Sequence, residues 1–197
     1  SDEGCPWDRV QTRRSIRNNL TEACYEAVEG IDKEDERRLK EELGDVLMQV
    51  IFHAQMEDEI GSFDLDDVAD GACKKLIHRH PHVFGSVVAE TAEAVLDNWD
   101  KIKVEEKHRD TLTSQLNAIP KQLPALMRAQ KVGKKVSFFD FADADEVMAK
   151  LYEESNEVKS AIASADAAAI EEEVGDLLFT AVSLARKLGV NAEEALG

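Results

Sequence analysis

Four acidic side chains in the first half of this chain reappear in the second half at unchanged spacing. Glu22, Glu26, Glu42 and Asp45 stand 131 positions before Glu153, Glu157, Glu173 and Asp176. Gly44 and Gly175, Ile31 and Ile162, Leu47 and Leu178, and Ala54 and Ala185 fall in the same register. A chain built this way is expected to fold as two related halves. What the repeat preserves best is carboxylate.

The residues around the repeat are helix formers. Ala, Glu, Leu and Lys dominate, while Gly and Pro fall between blocks, and no run alternates long enough to form a sheet. The pattern predicts helices over 13–30, 34–59, 65–79, 91–108, 112–133, 144–164 and 167–188. Asp64 followed by Asp67 reads as a variant capping box, and Asn191 with Glu194 as a second one. Pro120 and Pro124 break the middle, so the segment around them reads as a connector. The expected fold is all-α, with domains at 1–108 and 131–197 joined through 109–130. The segment after Asp67 carries Lys74, Lys75 and Arg79. The second half reaches Gly197 before any counterpart of it, so that half is expected to lack its last helix.

Charge narrows the function. The net charge is −17, from 24 basic and 41 acidic side chains. That balance argues against a duplex nucleic acid as partner, since phosphate neutralisation needs clustered Lys and Arg. It leaves room for a small phosphorylated ligand brought in with a divalent metal. No apolar run is long enough to span a bilayer, and no leader with a basic start and apolar middle is seen. Cys5, Cys24 and Cys73 are odd in number and not spaced as zinc pairs, which reads as free thiols in a reducing cytosol.

The acids themselves carry chemistry. Each helical residue turns about 100°, so Glu153 and Glu157 stack on one face with Glu154 beside them. Glu173 and Asp176 also share a face, and Asp176 touches the edge of an apolar stripe. Carboxylates converging near a core repel one another and lose solvation. Hard cations make such a cluster tolerable, and Mg²⁺ often bridges protein carboxylates to phosphates. A solvated acidic face is the competing reading. The second copy of the pattern favours metal.

These motifs resemble the MazG family of all-α nucleoside triphosphate pyrophosphohydrolases, over nearly the whole chain. "GCPWDRVQT", "EELGDVLMQVIFHA" and "HRHPHVFG" are similar to the first domain, "ALMRAQKVGKKV" to the connector, and "YEESNEV" with "EEEVGDLLF" to the second domain. The resemblance implies that Glu153, Glu154, Glu157, Glu173 and Asp176 bind Mg²⁺, and that Lys150 lies near substrate phosphate. In the first half Ala23 replaces the second Glu and Asn19 replaces the lysine, which leaves Glu22, Glu26, Glu42 and Asp45 as a degraded metal set. Lys75 and Arg79 match the family's later basic positions. The implied reaction converts a nucleoside triphosphate to a monophosphate and pyrophosphate, in a cytoplasmic homodimer. In the implied reaction one Glu takes the water's proton, with Glu154 and Glu157 both open as candidates.

Weaker signals stand beside these. Trp7 and Phe141 each precede an acidic helix and are candidates to stack on a base, with core packing as the alternative. His78, His80 and His82 read better as a helix end and proline turn than as a transition-metal site. Glu105 and His108 make a single E-x-x-H, where a di-iron bundle needs two. The "GKK" at 133–135 lacks the rest of a P-loop. Two rival functions remain: a nucleotide-binding scaffold with little turnover, and a structural helical dimer whose acids are only solvated.

Overall fold

A computed structural model describes residues 4–106, 111–136 and 141–197. All regular structure among the described residues is helical. The elements are α1 (Arg17–Asp32), α2 (Glu36–Asp58), α3 (Leu65–Arg79), α4 (Pro81–Phe84), α5 (Ala92–Glu106), α6 (Leu112–Asn117), α7 (Ala125–Gly133), α8 (Ala144–Ser164), α9 (Ala167–Lys187) and α10 (Ala192–Leu196), preceded by a 3₁₀ turn at Asp8–Val10. The chain divides into two compact units, Ser1–Leu96 and Asp97–Gly197, the division falling inside α5.

Each unit is organised around one helical hairpin, α1–α2 in the first and α8–α9 in the second. The duplication extends to the turns. Glu34 and Ala165, 131 positions apart, are the two non-glycine residues of positive φ among the described residues, at 51° and 54°. The residues after them, Asp35 and Asp166, are the N-caps of α2 and α9. Asp35 accepts from the amide of Arg38, and Asp166 from those of Ala168 and Ala169. Each cap satisfies amide donors that the helix start leaves open.

Small residues set the seam of the first hairpin. Ala23, Ala27 and Gly30 are the buried positions of α1. They recur at helical spacing and so share one face. At Gly30 the approach is close enough that an added Cβ would stand 3.1 Å from the Leu39 backbone. Along α8 the buried positions are Val147, Glu154 and Ala161. The counterpart of buried Ala23 is therefore a glutamate, and it lies in the seam rather than on the solvent face.

The predicted helix 112–133 is not continuous. It ends at Asn117 and resumes at Ala125, because Pro120 and Pro124 fall between, and Pro124 is the N-cap of α7. Helix α7 packs on α9 and α10, so the connector's end belongs to the second unit's core. The predicted cap at Asp64–Asp67 is a full capping box. Asn191 differs: its side chain accepts from the amide of Glu193 and donates to the Glu194 carboxylate at 2.6 Å. After Arg79 and His80, Pro81 opens the short helix α4, and the His80 and His82 rings stand 5.4 Å apart. His108 lies outside the described residues.

Candidate metal centre

The second hairpin brings Glu154, Glu157 and Glu173 together. One carboxylate oxygen from each lies within 4.8 Å of the others. The seam explains the selection. Glu154 occupies the buried stripe with Val147 and Ala161, and Glu157, one turn on, comes against Glu173 of α9. Of the three acids expected together on α8, Glu154 and Glu157 join the close group, while Glu153 stays exposed. Asp176 is exposed on α9 and stands outside the close group of three.

Lys150 joins this group. Its Nζ stands 2.9 Å from Glu154 Oε1 and 3.1 Å from Glu153 Oε1. Glu154 itself is 4% exposed. The hydrogen bonds to Glu154 and Glu153 raise the Lys150 ammonium's pKa, so it is held charged. Glu157 is also raised above the ordinary carboxylate value of 4.5, first by its hydrogen bond with Glu154, then by desolvation and the charges of Glu154 and Glu173. A raised carboxyl pressed against other carboxylates marks a site short of positive charge. The donor set suits a hard cation. Ligand oxygens around an octahedral Mg²⁺ stand about 3.0–4.2 Å apart, so three oxygens within 4.8 Å of one another are near that spacing.

The first hairpin carries a different arrangement. Ala23 is 5% exposed, in the place of Glu154. Glu42 is half-buried, and desolvation followed by the charge of Glu26 raises its pKa, with Asp45 and Glu41 adding to the effect. Glu26 is half-buried, while Glu22 and Asp45 are exposed. Arg38 opposes the rise in Glu42, its Nε lying 3.5 Å from Glu42 Oε1. Arg38 belongs to no motif in the sequence. Comparison of position 38 with position 169, which is Ala169, would have found it. Further along α2, Gln49 Oε1 and His53 Nε2 are buried without a hydrogen-bond partner among the described residues. No motif marks them in the sequence.

The remaining candidates lie on other elements. Lys75 is exposed on α3, and Arg79, one turn later, is buried at that helix's end. Trp7 is exposed in the 3₁₀ turn region. Phe141 is half-buried, and its carbonyl accepts from Lys187 Nζ.

The MazG nucleotide pyrophosphohydrolase domain model matches residues 11–84 and 143–197. The chain belongs to the MazG family. The two matched regions contain the two hairpins and both sets of acids. Among MazG relatives, the Escherichia coli (strain K12) protein named nucleoside triphosphate pyrophosphohydrolase is 46% identical over 99% of this chain and 76% of its own length. The Thermotoga maritima protein named nucleoside triphosphate pyrophosphohydrolase/pyrophosphatase MazG is 43% identical over 100% of this chain and 74% of its own length. An uncharacterised Bacillus subtilis protein, YabN, is 43% identical over 98% of this chain and 40% of its own length.

Proposed function

We propose that this MazG chain is a Mg²⁺-dependent nucleoside triphosphate pyrophosphohydrolase that acts through its second half. The observation that carries the reading is the convergence of Glu154, Glu157 and Glu173 beside Lys150, within a matched family region. The relatives' names supply the reaction: a nucleoside triphosphate and water give a monophosphate and pyrophosphate.

Bound Mg²⁺ would neutralise the triphosphate and acidify a water. Glu154, Glu157 and Glu173 would hold it, with Glu153 and Asp176 at the rim. Lys150, relieved of its two acids, would turn to a phosphate oxygen. Glu154 or Glu157 would take the water's proton. Substitution Glu173→Gln should abolish Mg²⁺-dependent pyrophosphate release while leaving helicity by circular dichroism unchanged. Full activity in that variant would remove Glu173 from the mechanism.

The working form is a homodimer. Leu43 and Leu47 on α2 are exposed, and so are Val174 and Leu178 at the matching positions of α9. Apolar stripes left open on both hairpins are what a second copy would cover. Light scattering of Leu47→Asp and Leu178→Asp should show loss of the dimer. A parent chain that is monomeric at assay concentration would refute this part. The free, exposed cysteines are compatible with a reducing cytoplasm. Among the described residues no helix is long and apolar enough to cross a membrane.

A further inference from the structure

The two halves neutralise their acids in different ways. In the second half Lys150, from one turn earlier on α8, pairs with Glu154 of the close group and with Glu153 beside it. In the first half the lysine's place is taken by Asn19. The positive charge comes instead from Arg38, on the first turns of α2. Its Nη2 stands 2.6 Å from Glu29 Oε2, and its Nε 3.5 Å from Glu42 Oε1. Glu29 is held in turn by Lys33, one turn along α1.

This network belongs to one copy only. Moved by 131 positions, Glu29, Lys33 and Arg38 fall on Ser160, Ser164 and Ala169. Ser160 and Ser164 hydrogen-bond to carbonyls of their own helix, and Ala169 donates its amide to the Asp166 cap. None of the three can supply or position a charge. Glu42, by contrast, is the counterpart of Glu173, a member of the close carboxylate group. The guanidinium therefore sits against the acid of the first half that corresponds to a cation ligand of the second. Its side chain is two-thirds buried, and its Nε has no hydrogen-bond acceptor among the described residues besides this ionic contact.

We propose that Arg38 is a resident cation of the first hairpin, occupying the place of a divalent metal there and excluding it. The proposal rests on reading the second hairpin as the metal centre. A fixed guanidinium satisfies the Glu42 charge without a site open to phosphate. A metal ion entering beside it would meet like charge, and with Ala23 it would find one ligand fewer. The first half then keeps the family's hairpin while leaving Mg²⁺ to the second. Arg38 is a positioning and exclusion residue, not a catalytic one.

The test is calorimetric titration of Mg²⁺ into the full chain, read without substrate. The parent should bind Mg²⁺, and Glu157→Gln with Glu173→Gln should remove that binding. In this silenced background, Arg38→Ala, and Arg38→Ala with Ala23→Glu, should restore Mg²⁺ binding at least about tenfold above the background, because ligand number and charge set affinity. Arg38→Lys, which keeps the charge, should not. Arg38 also ties α1 to α2, so Arg38→Gln, which keeps a donor for Glu29 and drops the charge, is run beside Arg38→Ala. Restored binding should disappear on adding Glu42→Gln. Folded Arg38→Gln and Arg38→Ala chains that bind Mg²⁺ no better than the background would overturn the proposal. So would a silenced background that still binds Mg²⁺ through Glu42 with Arg38 in place. A parent whose second hairpin binds no Mg²⁺ would instead defeat the proposed function, and it would do so whatever the Arg38 variants show.

Discussion

Lys150→Met separates a structural cation from a metal-dependent one. The Lys150 ammonium lies 2.9 Å from Glu154 and 3.1 Å from Glu153. Its removal leaves Glu154, with 6% of its side chain exposed, beside Glu157 and Glu173 without the ammonium that pairs with it. Breaking a fully buried ion pair costs about 3–5 kcal/mol. The Lys150 side chain is 36% exposed, so water already screens part of the interaction. A loss of about 1–3 kcal/mol follows after that discount. For a unit of this size, that lowers the melting temperature by roughly 5–20 °C. Differential scanning calorimetry in EDTA reads it directly. Saturating Mg²⁺ should close most of the gap, because the metal then supplies the missing charge and binds the folded state preferentially. Mg²⁺ should also bind the metal-free variant more tightly than the parent, having no ammonium to displace. Equal melting temperatures in EDTA would refute the reasoning, as would a gap that Mg²⁺ leaves untouched.

Glu157→Gln tests the electrostatics by pH. A carboxyl whose folded pKa is raised contributes stability that is complete below its unfolded value and lost as pH rises through the folded value. The metal-free variant should therefore melt above the parent at pH 7, and the difference should close as pH falls below the ordinary 4.5. A constant difference across that range would mean the charge is not the cause. Gly30→Ala pushes a Cβ to 3.1 Å from the Leu39 backbone and should destabilise by about 1–3 kcal/mol in urea unfolding. Gly71→Ala, with nothing within 4 Å of its Cβ, should gain up to about 1 kcal/mol from helix propensity. Effects of the same sign at both positions would contradict the packing described for the first hairpin.

The helices were legible in the sequence because their caps and breakers are local. Asp64 and Asp67, Pro120 and Pro124 each act within a few residues, and each appears where its chemistry places it. The choice among neighbouring glutamates was not legible. Glu153, Glu154 and Glu157 all satisfy a helical spacing argument, and only the packing of α8 on α9 decides that Glu154 faces the seam while Glu153 faces water. The role of Arg38 was hidden for a related reason. Nothing near it in sequence is unusual, and its meaning comes from Glu29, nine positions earlier on the opposite helix, and from what stands 131 positions later. Comparing the two copies residue by residue for charge of either sign, rather than for acids alone, would have exposed it.

The most direct test of the central claim follows the water. The chain is incubated with a nucleoside triphosphate and Mg²⁺ in ¹⁸O-enriched water, and the products are resolved by ³¹P NMR and mass spectrometry. The account predicts a nucleoside monophosphate carrying the heavy oxygen, with unlabelled pyrophosphate and no early orthophosphate, and none of this after Glu157→Gln. Label in the pyrophosphate, or a nucleoside diphosphate with orthophosphate as the first products, would contradict it.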